Sequence, residues 1–385
     1  MRTSSQKATV VALALLVSAL VWAQSTVEVS GRVNPTAFGA KGDGHADDTA
    51  ALKAVVAGGG TVIFPSGTYL ISSTLAPAKK IRLVCEGATG LTGSIHGACR
   101  IKKSSAFTGP AIYLGPATQG SLIEGLEIDG APGNQGDGIQ VLANSIALRD
   151  VAVVNQGGNG IRIGEDAVQN TTQADTFYLE RVRSANNHGH GFYIHKQDVY
   201  KDFPDANAGT MINCVAQVND GDGLRIGKGL DNTFVGFLAE QNAGAGVHLV
   251  AGAGNEVFIG GDLAEGNTRG NVVLEAGNVL ESYFFGTDTG STVLDNGKPK
   301  SIFWNRSLGL SGPLSIGRTT PSPGVKVDVN GSVSITGDLA VGQSAIQNGT
   351  GSPSGKCRPA SLYLRTDGGP GSTLYVCETG HWTAK

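Results

Sequence analysis

Charged and aromatic side chains are scarce in this chain. Asp, Glu, Lys and Arg make up 16% of 385 residues against a usual ~25%, and Phe, Trp and Tyr only 6%. There are two methionines and 14 prolines, and no Gly-X-Y period, which excludes a collagen-like rod. No Cys-x-x-Cys pair or Cys/His spacing marks a zinc site. Long apolar runs are confined to the amino terminus, so no later spanning helix is expected. The run Ala8 to Ala23 follows Arg2 and Lys7 and ends in Val21-Trp22-Ala23, the pattern of a secretory leader over residues 1–23, with an uncleaved anchor as the alternative. Its removal leaves 27 cations against 32 anions, a net charge of −5, which disfavours nucleic acid as a partner. The expected location is outside the cell or at its surface, with no membrane contact once the leader is cleaved.

Glycine, at 58 residues, is abundant. With Asn, Ser and short Val/Ile/Leu runs it indicates an all-β chain. The pattern Gly-x-Gly-apolar-x-apolar occurs at Gly136–Val141, Gly158–Ile163, Gly189–Ile194, Gly221–Ile226 and Gly244–Leu249, with a degenerate copy at Arg269–Leu274. The second-glycine positions are 22, 31, 32, 23 and 25 residues apart. Short strands at this period suit a parallel β-helix, in which stacked coils bury a continuous apolar centre. Alternation sends Ile139/Val141, Ile161/Ile163, Phe192/Ile194, Leu224/Ile226 and Val247/Leu249 inward, and the glycines are expected to supply positive-φ turns. A further apolar strand precedes most copies, as at 122–128, 146–154 and 234–238. Residues 34–75 read as a cap, with Asp47-Asp48-Thr49 opening a helix that runs to Ala57 and stops at Gly58-Gly59-Gly60.

In a solenoid, one position repeated in successive coils forms a column. Outward residues give Gln140, Arg162, Tyr193, Arg225 and His248; residues between the glycines give Asp137, Asn159, His190, Asp222 and Ala245. The long spacings place extra loops near 164–176 and 195–210, walls of a groove whose cationic and aromatic groups suit an acidic polysaccharide. Asp137, His190, Asp222 and Arg225 are the expected catalytic set, and Arg162, Tyr193, Lys228 and His248 the substrate contacts. Five cysteines leave one unpaired: Cys85 with Cys99 and Cys357 with Cys377 are the expected disulfides, and Cys214 sits in an apolar strand.

The segment from Ala37 to Ser72 resembles the amino-terminal cap of the pectate-lyase-like superfamily, the rhamnogalacturonase and epimerase-like proteins, and the resemblance extends over roughly 34–300. It implies a right-handed parallel β-helix across 24–306 and a polysaccharide ligand. From 307 to 385 the Gly/Ser-rich chain resembles carboxy-terminal modules of phage tail-spike proteins, which implies a small β module and a homotrimer. Short strands are expected at 332–335 and 361–364. The coils are also similar to polygalacturonases: Asp137 matches a motif aspartate, Gly189-His190-Gly191 the histidine motif, and Arg225-Ile226 the start of the Arg-Ile-Lys motif, with Lys228 displaced by Gly227. The family's Asp-Asp pair is replaced by Gly158-Asn159, so a hydrolase with separate acid and base carboxylates does not transfer intact; Glu165 and Asp166 are the nearest substitutes. β-Elimination is the second enzymatic route, with Arg162, Arg225, Lys228 or His190 engaging a uronate. It needs no cofactor unless calcium joins it, held by Asp137, Asp220 and Asp222. A non-catalytic glycan-binding adhesin is the alternative from another class. His188, His190 and His195 lie close together, but the i, i+2 spacing of His188 and His190 alone does not define a metal site, and Asp43, Asp47 and Asp48 are read as turn and cap residues.

Overall fold

A computed structural model describes residues 31–87, 97–165, 173–196, 206–277, 282–290, 293–296, 302–304, 314–316, 327–329, 339–341 and 344–385. The leader, Asp166 and the expected strand at 332–335 lie outside the described residues, as do the 166–172 and 197–205 portions of the two groove loops. The chain divides into two compact units after Ser307.

The first unit is a right-handed parallel β-helix. Its described strands form three parallel sheets. The first, of eleven strands, runs from Arg32–Val33 to Ile302–Trp304; the second, of nine, from Asp43–Asp47 to Asp262–Glu265; the third, of eight, from Ile112–Leu114 to Val293–Asp295. Each Gly-x-Gly copy feeds a strand of the third sheet, and the inward pairs expected from alternation are all buried. Along the first sheet Phe234, Phe258 and Phe284 stack at 4.5 and 4.6 Å between centroids, adding ring–ring attraction to area burial.

The apolar segments preceding the copies are each two strands, not one. Ala147–Arg149 belongs to the first sheet and Ala152–Val154 to the second, with Asp150 at φ 51° between them. Gly125 and Gly236 break the corresponding segments in the same way. A single left-handed residue turns the chain sharply without interrupting the apolar pattern, which is why the corner reads as continuous strand.

The repeat glycines also have a different cause from the expected one. Among the five copies only Gly136 has positive φ. A Cβ on Gly138 would lie 2.2 Å from Val153 Cγ1, and one on Gly160 1.9 Å from Ser184 Oγ. These glycines are required by close approach within and between coils, and the positive-φ corners fall instead on residues such as Asn155, Asn186 and Val218. Inside the same corners runs a ladder of buried amides. The Gln156, Asn187, Asn219 and Asn242 backbone N–H groups donate to the side-chain oxygens of Asn187, Asn219, Asn242 and Asn267, at 3.0–3.2 Å. Turn backbone that would otherwise be buried unpaired is thereby satisfied.

At the amino end, the helix Thr49–Ala57 forms as expected, but its cap differs. Asp47 Oδ1 accepts from Thr49 N–H at 2.9 Å, whereas Asp48 turns back to accept from the amides of Lys41 and Gly42. Cys85–Cys99 is a disulfide in this unit and Cys214 is buried and free. In the second unit a five-stranded mixed sheet includes Leu362–Arg365 and Leu374–Glu378, with a Cys357–Cys377 disulfide.

Candidate functional site

Strand register in the third sheet fixes an outward row in the order Tyr113, Gln140, Arg162, Tyr193, Arg225, His248. The expected outward column is therefore continuous, and Tyr193 stands between two arginines. The Arg162 guanidinium lies over the Tyr193 ring at 5.2 Å, and the ring is 5.5 Å from both His190 and His195. Cation–π attraction holds Arg162 and Tyr193 together.

The second column is a hydrogen-bond ladder. Asp137 Oδ1 accepts from Asn159 N–H and Nδ2 at 2.7 and 2.9 Å, Asn159 Oδ1 from His190 N–H at 2.9 Å, His190 Nδ1 from Asp222 N–H at 2.8 Å, and Asp222 Oδ1 from Ala245 N–H at 2.8 Å. Polar residues between the glycines thus satisfy the amide of the coil that follows, and this fixes the tautomer of His190. With its Nδ1 lone pair occupied, the neutral ring carries its proton on Nε2 and presents an N–H donor. Burial, with the positive neighbours Arg225, His248 and Arg162, outweighs Asp222 and lowers the ring's pKa to about 4. His190 is therefore neutral at ordinary pH and cannot accept a proton through Nε2 in this tautomer.

Asp222 is the hub. Its Oδ2 lies 2.9 Å from His248 Nδ1 and 3.1 Å from Arg225 Nη1, while His248 Nε2 lies 2.8 Å from Glu275 Oε1. Arg269 reaches Glu275 at 3.2 Å. Burial would raise the Asp222 pKa, but hydrogen bonds from His248 and Ala245 N–H and the nearby imidazoles hold it at about 2. The side chain, 4% exposed, is a fixed anion, unsuited to the acid/base role expected of it. His248, expected as a substrate contact, is fully buried, bonded to Asp222 and Glu275 with Arg225 and Arg269 beside its Nδ1, and so acts through these neighbours. Arg225 is partly exposed but already paired with Asp222, and Lys228 pairs in register with His195 at the strand end. Glu165 sits at the end of Ile161–Glu165, in register with Lys196.

Three participants were not singled out from sequence. Arg269 opens the degenerate sixth copy and Glu275 follows it, and aligning that copy with Gly244–Leu249 would have placed them at the site's edge. Lys103, fully buried, donates to Asn134 Oδ1 and to the carbonyls of Gln135, Gly136 and Asp137 at 2.8–3.3 Å, fixing the turn that carries Asp137. No motif announces it. The proposed calcium donors do not form one set: Asp222 is bound as described, Asp220 pairs with His188 at 2.7 Å, and Asp137 bonds Asn159 with Arg162 3.8 Å away. Among the described residues no group of three or more His, Cys, Asp or Glu is placed to hold a metal.

The family model for rhamnogalacturonase A/epimerase, pectate lyase-like proteins matches residues 32–248, more than half of the chain and most of the site-bearing coils. The chain belongs to this family. Among pectate lyase-like relatives, mannuronan C5-epimerase AlgE1 of Azotobacter vinelandii is 26% identical over 251 residues, 63% of this chain and 16% of the epimerase. AlgE5 of the same organism is 26% identical over 271 residues, 68% and 24% of the two chains. This chain therefore spans a quarter or less of the length of these curated relatives. Among solved structures, ORF18 of Geobacillus virus E2 superposes with a TM-score of 0.55 at 15% identity, over 92% of this chain and 76% of that one. Tailspike protein 2 from Escherichia coli O157:H7 bacteriophage CAB120 gives 0.51 at 13% identity, over 79% and 47%. At these identities the likeness to the pectate lyase-like fold is structural.

Proposed function

We propose that the outward row of the third sheet binds an anionic polysaccharide and moves the proton beside a uronate carboxylate, in the manner of an epimerase or lyase and not of a hydrolase. The observation that carries this reading is the state of Asp222. The most central carboxylate is locked as an anion, and the groups left facing outward are Arg162, Tyr193, Arg225 and the neutral N–H of His190. Such a set suits carboxylate neutralisation better than protonation of a glycosidic oxygen. Mannuronan C5-epimerases among the relatives support the same direction.

In this chemistry Arg162 and Arg225 hold the uronate carboxylate, and the Tyr193 oxygen exchanges the C5 proton. The electron pair left at C5 delocalises into the carboxylate as an enediolate, which the guanidinium groups and His190 Nε2–H stabilise. Delivery of a proton to C5 from water on the opposite face inverts it while Tyr193 releases its proton to solvent; departure of the C4 oxygen, protonated by Tyr193, instead gives a C4–C5 double bond. Action outside the cytoplasm is supported by the leader pattern and the two disulfides.

The test is incubation with polymannuronate and polygalacturonate in D2O. Deuterium at C5, with or without unsaturated product, is the expected result, and Arg162→Ala should lower kcat/KM by on the order of 100-fold. New reducing ends without C5 deuterium or unsaturation would mean hydrolysis and overturn the reading. Binding with no chemistry would leave a glycan-binding adhesin.

A further inference from the structure

A second polar groove, of about 500 Å³, lies at the corner where the second sheet turns into the third. Lys102, Arg100 and Asp129 line one side of it, and Asn155, Asn186 and His188 belong to the successive corners beside them. It has a built wall. Nine residues separate Asp129 from Ile139, whereas six separate Val154 from Ile161 and six separate Ala185 from Phe192. The three extra residues are accommodated in the turn around Ala131-Pro132-Gly133, which lines the groove. The preceding coil carries the same lengthening, nine residues between Lys102 and Ile112, so two longer corners stand side by side before the following coils close with six.

The groove's polar groups are unevenly committed. Arg100 is paired with Asp129 at 3.2 Å, and Asn155 Nδ2 donates to the same carboxylate at 2.8 Å. His188 Nδ1 faces Asp220 and leaves Nε2 open. The Lys102 ammonium and the Asn186 amide have no partner among the described residues. An ammonium beside open amide and imidazole groups, with no aromatic platform, matches a hydroxyl-rich unit bearing a negative charge. The turn Asn186–Gly191 joins the two regions, contributing Asn186 and His188 to the groove and His190 to the site described above.

We infer that this groove is an accessory subsite for an acidic sugar unit, with Lys102 as its charge anchor and the Asn186 amide as its hydroxyl or carboxylate contact. The inference takes its ligand class from the function proposed above, yet it is separable from it because the central row can be removed first. Binding of a short oligogalacturonate is measured by calorimetry for wild type, for Arg162→Ala/Tyr193→Ala, and for that pair combined with Lys102→Ala or with Asn186→Gly. Glycine at 186 preserves the positive φ of 55° while deleting the amide.

The expected result is residual affinity in the double variant that falls on the order of tenfold with Lys102→Ala and also falls with Asn186→Gly, while a neutral maltooligosaccharide does not bind. Residual affinity unchanged by Lys102→Ala overturns the subsite. So does a double variant that binds nothing while wild type binds, which leaves the central site standing. Affinity undiminished by Arg162→Ala/Tyr193→Ala but lowered by Lys102→Ala upholds the groove and removes the central row. A wild type that binds no oligogalacturonate overturns both.

Discussion

The imidazole of His190 accepts a backbone amide on one nitrogen and presents a proton on the other, so its contribution should be that of a neutral donor. Glutamine places an amide N–H near the Nε2 position, whereas alanine removes the donor. His190→Gln should therefore retain more activity than His190→Ala, whose loss in kcat/KM is expected at about 100-fold. Because the folded pKa is about 4, below the ordinary 6.5, the Nδ1 acceptor bond from Asp222 N–H that fixes the ring should persist as pH falls through 6.5 and be lost only near 4, while Nε2 keeps its proton throughout. A kcat/KM profile with an acid limb near 6.5 assigned to His190 would contradict this. The stability linkage has the matching sign: the contribution is complete above 6.5 and lost as pH falls toward 4, since the unfolded ring takes up its proton first. Lys103 is the buried counterpart. Burial lowers its pKa to about 8 against the pull of Asp137, and its ammonium supports four acceptors around the Asp137 turn. Lys103→Met should cost about 3 kcal/mol in denaturant unfolding and impair the site through Asp137. An unchanged midpoint would show that the turn holds itself. Sequence reveals the types of these residues but not their partners. His190 could be placed by the repeat, whereas the amide that sets its tautomer belongs to a coil 32 residues later. Lys103 precedes the repeats and carries no spacing signal.

At the scale of strands and corners, the repeat made the third sheet legible because alternation and the Gly-x-Gly period report the same inward row. The other two sheets were fused in the reading, since one left-handed residue between two three-residue strands leaves apolar periodicity almost intact. The corner ladders were equally hidden: no motif marks Asn187, Asn219 and Asn242, yet they are buried and pair from coil to coil. A related ladder on another corner includes an acid. Glu256, fully buried, accepts from Asn232 N–H at 3.1 Å and from its Nδ2 at 3.3 Å. Burial raises its pKa well above 4.5, more than these hydrogen bonds lower it. Such a carboxyl favours folding most below 4.5, and that contribution declines as pH rises toward the folded pKa, because only the unfolded chain ionises. Glu256→Gln keeps an acceptor and removes the ionisation. The variant should be more stable than wild type by about 1–2 kcal/mol at pH 8, with the difference shrinking toward pH 4. Equal unfolding free energies at pH 4 and pH 8 for the two proteins would show that the carboxyl ionises in place with its partners.

For the molecule as a whole, the apolar centre of the solenoid among the described residues runs from Ala40 to Phe284. Coils contact mainly their neighbours, so stability sums along the axis and does not depend on remote segments. Deleting 308–385 should therefore leave a protein with a β-rich far-ultraviolet circular dichroism spectrum and a cooperative melt, still carrying both the central row and the corner groove. The Cys357–Cys377 unit is separately cross-linked and has its own sheet, which makes it the candidate for assembly, and a homotrimer built through it is our proposal for the full chain. Light scattering after size exclusion should then report a trimer for the full chain and a monomer for the truncated one, with the affinity for oligogalacturonate per chain retained in both. Loss of that affinity together with the trimer would place part of the site between subunits. A truncated chain that stays trimeric would assign assembly to the solenoid. Unfolding on truncation would mean that the solenoid depends on residues beyond 307, as open solenoid ends generally depend on a cap.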